Sequence, residues 1–225
     1  MGLKIEVLCS SPDHPVVPWL VQWMDKKLDD YTVKLVHFKA ELGFGDILFL
    51  ISVSQMIESD IRKRFRATAV VHASDLPEGR GWSPHVWSIL NGGESIVVSA
   101  LEAAEQMDGG AIWAKTRIEI PKTALFDEIN NRLFAAILEL MTKVCNMVEA
   151  GEKPQPQDDR APSYWPRRKP EDSEIDANQS IGSQFDAIRV SDPNRYPAFF
   201  RLHGEVFEIR LTKVSDLSSL ARGDD

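Results

Sequence analysis

Residues 69–90, AVVHASDLPEGRGWSPHVWSIL, decide the fold of this chain. They begin with small and branched apolar residues, which predict a buried strand that delivers His72 at its end. A turn-rich segment follows, and then a helix is predicted with Ser83 as its N-cap and Pro84 at its first position. Because open α/β sheets carry their chemistry at the carboxyl ends of their strands, we expect His72 to lie at a functional edge.

Strand-like and helix-like segments alternate on both sides of this stretch. Continuous apolar runs predict buried strands, and apolar residues three or four positions apart predict helices. The expected strands cover residues 3–9, 31–37, 45–53, 67–72, 95–101 and 111–120, and the expected helices cover residues 16–27, 55–65, 82–91 and 125–150. This alternation predicts an α/β fold, with a mostly parallel sheet covered by helices on both faces.

The composition changes at Gly151, which predicts one domain over residues 1–150 and a small C-terminal subdomain over residues 151–225. Residues 153–159 (KPQPQDD) have the composition of a linker, and residues 181–190 are compatible with a helix. Alternating residues 196–202 and 205–212 flank His203-Gly204 and predict a β-hairpin. Residues 215–225 are expected to be frayed.

The bulk composition disfavours several classes of protein. A net charge of −8 over 225 residues argues against a broad polyanion-binding surface, so no nucleic-acid partner is expected. No apolar run is long enough to cross a bilayer, and the start of the chain lacks a signal-peptide pattern. Cys9 and Cys145 stand among apolar residues, which indicates packed thiols in a reducing, cytoplasmic compartment. No Cys/His cluster has metal-ligand spacing, and the loop after the first strand, which contains His14, is not a dinucleotide fingerprint. We expect His14 to be a solvated loop residue.

Two motifs carry a resemblance to a known family. The first is H-x-S-x-L-P-x-x-x-G, formed by His72, Ser74, Leu76-Pro77 and Gly81, and the second is the D-x-G of residues 108–110. Together and in this order they resemble the signature of the folate-dependent formyltransferases. The resemblance is good over about residues 45–125. It implies a Rossmann-like formyltransferase domain that uses N10-formyltetrahydrofolate, with tetrahydrofolate as a product.

The resemblance also implies roles for individual residues. His72 would be the acid/base group, since the imidazole pKa lies near working pH, and Asp108 would orient His72 or relay a proton. Without the resemblance, His72 would read as a hydrogen-bonded core residue and Asp108 as a turn residue. The residues expected to bind the cofactor are Leu50, Met56, Ile57, Ala104, Glu105 and Asp108. Taken one by one, the apolar members of this set are equally compatible with a simple core.

One position departs from the family pattern. The family usually has an asparagine two residues before the histidine, where it donates a hydrogen bond to the formyl oxygen, and this chain has Val70. Thr68 faces the same side of the strand, but four residues of strand span about 13 Å, which is too far for substitution. A backbone amide, a water molecule or doubly protonated His72 would have to stabilise the oxyanion.

The segment DLPEGRGWSP resembles small formyltransferases that act on nucleotide-linked amino sugars, above all those of the pseudaminic-acid-pathway type. The resemblance therefore implies an acceptor that is a UDP- or dTDP-linked 4-amino-4,6-dideoxy sugar. The residues expected at the acceptor site are Ser74, Arg80, Gly81, Trp82, Arg167 and Arg168. Trp82 and Trp87 would wall this site or belong to the core, and the two arginines would bind a diphosphate or simply face solvent. Ala177 stands where the related I-D-W step has an aromatic residue.

Two other functions stay open. Methionyl-tRNA formyltransferase resembles the chain through the catalytic half, but it carries a larger C-terminal β-barrel and basic surfaces. A non-catalytic module that binds folate or a nucleotide sugar is motivated by Val70 and Ala177. The C-terminal hairpin would also suit a homodimer.

Overall fold

The computed structural model describes residues 2–214, so the segment expected to be frayed, residues 215–225, lies outside the described residues. The strands are β1 Lys4–Leu8, β2 Thr32–Val36, β3 Gly45–Leu50, β4 Phe65–His72, β5 Arg80–Gly81, β6 Ser95–Glu102, β7 Ile112–Glu119, β8 Tyr164–Trp165, β9 Ala198–Leu202 and β10 Glu205–Ile209. The α-helices are α1 Val17–Asp25, α2 Ser59–Arg62, α3 Pro84–Leu90, α4 Phe126–Glu149 and α5 Phe185–Arg189. Short 3₁₀ turns lie at Lys39–Glu41, Pro170–Ser173 and Gly182–Gln184.

The central sheet has six strands in the order β2-β1-β3-β4-β6-β7. The first four strands are parallel, and Ile5 of β1 lies opposite both Val33 and Ile47. Strand β6 is antiparallel to both of its neighbours, β4 and β7. The predicted mostly parallel sheet is therefore confirmed, with an antiparallel edge on the β6–β7 side.

The two faces of the sheet are covered unequally. Apolar side chains of α1, α3 and α4, among them Leu20, Ile89 and Leu140, form the main core with alternate residues of β1, β3 and β4. The opposite face packs a smaller cluster that includes Leu48, Leu50 and Ile57. Helices on both faces are thus confirmed, but α2 is a single turn, so loops close most of the second face.

Helix α4 follows its apolar spacing, and its predicted end is correct. Buried residues recur every three or four positions along it, and Gly151, with φ of +72°, terminates it in the left-handed conformation. The N–H of Glu152 donates to the carbonyl of Met147, which completes the terminal turn. At the other end, the Glu128 carboxylate accepts the N–H of Leu125.

Some local predictions were wrong. The helix predicted over residues 55–65 covers only Ser59–Arg62, because the preceding residues form an irregular loop at the end of β3. Ser83 does precede α3, but its φ is +47° and its side chain makes no capping hydrogen bond. Pro84 alone sets the start of that helix.

The predicted hairpin is confirmed as β9 and β10, which pair in antiparallel fashion. Ile175, Ile188 and Ala198 form a small core under it. Both cysteines are buried and unpaired, as predicted. Within residues 2–214, no helix is both long and apolar enough to span a bilayer.

Candidate active site

His72 ends β4 at the carboxyl edge of the parallel strands, with a side chain that is 9% exposed. Its Nε2 lies 2.9 Å from the carbonyl oxygen of Gly79. Because a carbonyl only accepts, Nε2 carries a proton and donates it there. In the neutral ring, Nδ1 is then the nitrogen with a free lone pair, and this nitrogen faces Asp108.

Asp108 lies in the turn between β6 and β7 and is brought to His72 from far along the chain. One carboxylate oxygen, Oδ1, is 3.7 Å from His72 Nδ1, and the other, Oδ2, accepts the N–H of Gly81 at 2.9 Å. Its side chain is 11% exposed. The structure thus brings the predicted pair together, at a distance slightly longer than a hydrogen bond.

Two motif glycines permit this approach. A Cβ at Gly110 would lie 1.7 Å from the carbonyl oxygen of Glu102, and a Cβ at Gly81 would lie 2.5 Å from that of Trp165. Gly81 also has a φ of +100°. Only glycine fits positions with such close backbone contact.

The loop after His72 is fixed by two basic side chains. Lys115 Nζ lies 2.6 Å from both Asp75 Oδ1 and the carbonyl oxygen of Leu76. Arg160 binds Asp75 Oδ2 at 3.1 Å and Glu78 Oε1 at 3.0 Å. Partial burial acts to raise the pKa of Asp75, but the hydrogen bonds from Lys115 and Arg160 outweigh it and hold this pKa below its ordinary value.

Residues 153–168, which we call the strap, run across this loop and the Asp108 turn. Gln155 pairs with Ile112, and Tyr164–Trp165 pairs in parallel with Arg80–Gly81. The Ser163 hydroxyl accepts the N–H of Gly79 at 2.9 Å. The segment predicted to be a linker therefore contacts the site along much of its length and is not a simple tether.

The residues predicted for the acceptor site divide into two groups. Trp82 is half-buried and lies under the guanidinium of Arg167, whose centre is 4.8 Å from the ring. Trp87 stacks on Trp165 with ring centroids 5.8 Å apart. These side chains form an aromatic and cationic wall beside the pair.

The second group points into the protein. Arg80 is buried, and it donates to Gln157 Oε1 at 2.7 Å and to the Tyr164 hydroxyl at 3.3 Å. The Ser74 hydroxyl is buried without a protein partner. Arg168 donates from one terminal nitrogen to the carbonyl of Asp172 and to the Ser173 hydroxyl, in the residues that follow the strap, while its Nε is buried without a partner among the described residues.

The residues predicted to bind the cofactor lie on two loops of the same edge. Leu50 and Ile57 are buried in the smaller core, whereas Met56 is 48% exposed. Ala104 and Glu105 follow β6, and the Arg62 guanidinium binds both the Ala103 carbonyl and the Glu105 carboxylate. Within residues 2–214, the N–H groups of residues 104–108 donate to no protein acceptor.

Sequence reasoning missed several residues of the site. His85 lies in α3, and its pKa falls to about 4, mainly because of burial and then because of the charges of His72, Arg168 and His14. His85 stands directly after Pro84 within residues 69–90, and the sequence pattern there indicated only a helix. Gln157, Lys115 and Arg160 gave no local signal for the site, because their partners in the site are 39 to 85 residues away.

His14 was predicted to be solvated, and this was wrong. It is half-buried against Phe134, with ring centroids 6.2 Å apart, and Nδ1 accepts the N–H of Val16. Burial, followed by the charge of Arg195, lowers its pKa to about 4. Among the described residues, no cluster of three or more His, Cys, Asp or Glu side chains is placed to hold a metal ion.

Comparison with known proteins identifies the family. A family model described as formyl transferase matches residues 33–145, which include both His72 and Asp108. The chain belongs to this formyltransferase family. Its enzymes take their formyl group from N10-formyltetrahydrofolate.

Curated formyltransferases match at moderate identity. Methionyl-tRNA formyltransferase of Moorella thermoacetica is 30% identical over 159 residues, covering 70% of this chain and 50% of that protein. That of Bacillus subtilis is 29% identical over 145 residues, covering 64% and 45%. The chain thus spans about half the length of the curated relatives it matches.

Solved formyltransferase structures share the fold at lower identity. Methionyl-tRNA formyltransferase from Clostridium thermocellum superposes with a TM-score of 0.80 at 24% identity, covering 95% of this chain and 94% of that one. A 4-N formyltransferase from Francisella tularensis gives 0.72 at 18% identity, with 94% and 99% covered. HypX from Aquifex aeolicus in complex with tetrahydrofolic acid gives 0.77 at 20% identity, with 92% and 37% covered.

Proposed function

We propose that this chain transfers a formyl group from N10-formyltetrahydrofolate to the amine of a nucleotide-linked 4-amino-4,6-dideoxy sugar, with UDP or dTDP as the nucleotide. The observation that carries the proposal is the His72–Asp108 pair, in which Nδ1 and Oδ1 are 3.7 Å apart and both side chains are largely shielded from solvent. Transfer between two amines requires a proton to leave the incoming nitrogen and another to reach the departing one. An imidazole next to a carboxylate is suited to both steps.

The residues on the cofactor side fit a folate. A pteridine needs an apolar surface next to free hydrogen-bonding groups at its edge. The exposed side chain of Met56 supplies the apolar surface, and the unpaired N–H groups of residues 104–108 supply donors. When bound, N10-formyltetrahydrofolate supplies the formyl carbon and an amine leaving group. Leu50, Met56, Ile57, Ala104, Glu105 and Asp108 would hold it.

His72 and Asp108 have different proposed roles in the proton transfers. His72 Nε2 donates to Gly79, so Nδ1 accepts a proton in the neutral ring, and Asp108 stabilises the imidazolium that results. Val70 has no donor for the formyl oxygen. Imidazolium His72, or a main-chain N–H not used by the pteridine among residues 104–108, would donate to that oxygen.

The acceptor proposal rests on the wall beside the pair. The Trp82 ring offers a flat apolar surface, and the Arg167 guanidinium, 4.8 Å from that ring, offers a positive charge. This combination suits a sugar linked to a diphosphate. The overall charge of −8 favours a small phosphorylated acceptor over a long polyanion.

The test is a transfer assay with purified chain, N10-formyltetrahydrofolate and a panel of UDP- and dTDP-linked 4-amino sugars. Mass spectrometry should find a product that has gained one CO unit, with release of tetrahydrofolate. A panel without any such product, under conditions where tetrahydrofolate binds, would overturn the sugar assignment.

A second candidate is favoured by one observation, the 30% identity to methionyl-tRNA formyltransferases. Methionyl-tRNA therefore belongs in the same panel. Formylation of it, with retention of tRNA that weakens as salt rises, would replace the sugar as acceptor.

A further inference from the structure

The Gln157 side chain makes three hydrogen bonds, two to the Asp108 turn and one to Arg80 of β5. Its Nε2 lies 2.7 Å from the carbonyl oxygen of Asp108 and 2.9 Å from that of Gly110. Its Oε1 accepts from Arg80 at 2.7 Å. The orientation of the amide is unambiguous, because carbonyls accept and a guanidinium donates.

These contacts close a ring around the carboxylate. Gln157 binds the main chain of Asp108, the Asp108 side chain binds the N–H of Gly81, and the neighbouring Arg80 returns to Gln157. Both ends of Asp108 are therefore fixed, the carbonyl by the strap and the carboxylate by β5.

The ring of hydrogen bonds supports an unusual backbone conformation of Asp108. Asp108 has a φ of +51°, in the left-handed region that residues other than glycine occupy infrequently. The conformation aims Oδ1 at His72, and it persists only where the surroundings determine it. The hydrogen bonds from Gln157 to the carbonyls of Asp108 and Gly110 fix the backbone on the C-terminal side of this residue.

We propose that Gln157 is a positioning residue for the reaction, which keeps the Asp108 carboxylate facing Nδ1 of His72. The proposal rests on the proposed formyl transfer, in which this pair moves the protons. Gln157 itself is directed at main-chain carbonyls and at Arg80, so it acts through Asp108.

The chemistry of the side chain explains the residue type. Only an amide of this length donates twice to carbonyls and accepts once from a guanidinium. Gln157→Glu keeps the bond with Arg80 but loses both donors. Gln157→Met keeps the shape of the side chain and loses all three bonds.

The strap contains its own control. Gln155 is the same residue type two positions earlier, and its exposed side chain makes only a local bond, to the carbonyl of Lys153 at 3.2 Å. Gln155→Met should leave the site intact, because Gln155 pairs with Ile112 through its main chain.

The first measurement is kinetic. With an acceptor found in the panel, Gln157→Met and Gln157→Glu should lower kcat by about tenfold or more, while the dissociation constant for tetrahydrofolate stays within about twofold. In an Asp108→Asn background, Gln157→Met should cost less than about threefold, since the residue it positions is already neutral. An equal loss in both backgrounds would overturn the proposal.

The second measurement needs no turnover. Protonation of the His72 ring is followed by ¹⁵N NMR in the full chain. Asp108→Asn and Gln157→Met should both make His72 easier to deprotonate, and Gln155→Met should not. An unchanged His72 titration in folded Gln157→Met would overturn the positioning role. The NMR result tests the positioning role whether or not formyl transfer is found. Absence of product and of tetrahydrofolate binding in the unsubstituted chain would overturn the proposed function alone.

Discussion

The two sides of the candidate site are built in opposite ways. On the proton-transfer side, the loop after His72 and the Asp108 turn are bound by Lys115, Arg160 and the strap. On the proposed cofactor side, Met56 is exposed and the N–H groups of residues 104–107 have no protein acceptor among the described residues. The difference indicates that the His72–Asp108 pair is preorganised, whereas the main-chain donors of residues 104–107 are left for solvent or a ligand.

Removal of the imidazole should have the largest effect. His72→Gln removes the group that accepts and returns protons, so kcat for formyl transfer should fall by about 10²–10⁴-fold. Tetrahydrofolate binding, measured by calorimetry, should change little, because His72 belongs to the proton-transfer side. His203→Asn, in the hairpin turn at a φ of +53°, is the matched control. Comparable activity of the two variants would show that His72 does not transfer the protons.

Acid should destabilise the fold through two partly buried imidazoles. The pKa values of His85 and His14 are lowered from 6.5 to about 4, in each case mainly by burial. As pH falls from about 6.5 to 4, the unfolded chain therefore takes up protons that the folded chain refuses, and stability is lost. Each histidine contributes at most about 1.4 kcal/mol per pH unit.

Urea denaturation at several pH values measures this loss. His85→Gln should flatten the profile between pH 6.5 and 4, whereas His203→Asn should leave it unchanged. A profile that is equally steep in His85→Gln would show that His85 is not held neutral.

Loss of one strap contact should have an intermediate effect. Arg160→Met removes the ion pairs with Asp75 and Glu78, so the loop that carries Gly79 and Gly81 is less well fixed. We expect about a tenfold decrease in kcat without a change in tetrahydrofolate affinity. Arg64→Met, which removes an exposed ion pair with Asp60, is the control. A weaker cofactor affinity in Arg160→Met would mean that the two sides are not independent.

A substitution on the proposed cofactor side should have the smallest effect. Met56→Gln replaces an exposed apolar side chain that we expect to cover the pteridine, so tetrahydrofolate should bind about fivefold more weakly. The melting temperature should not fall, because nearly half of the side chain is already in water. Leu28→Gln, another exposed apolar residue, should change neither quantity. An unchanged affinity in Met56→Gln would remove Met56 from the proposed cofactor site.

Most of the fold could be predicted from periodic patterns. The buried runs of β3 and β4 and the spacing in α4 specify their elements locally, and Gly151 marks the end of α4. The short α2 could not be bounded, because a single turn has too few residues to establish a period.

The site was predictable only where a motif marks it. His72 and Asp108 were found from motifs, and the structure brings them together. Gln157 and Arg160 lie in a polar, proline-rich segment without periodicity, and their partners are set by how the chain returns over the sheet. Nothing in the neighbouring residues encodes that path.

The return of the chain over its own catalytic edge constrains how this protein can be recombined. The composition suggests a domain boundary at Gly151. A chimera that exchanged the chain from Gly151 onward would nevertheless replace Gln157, Arg160 and Tyr164 together. Such an exchange would replace Trp165 and Arg167 of the aromatic and cationic wall and the supports of the Asp108 carboxylate at once. Exchanges of the tail should therefore retain residues 153–168 and cross over beyond them.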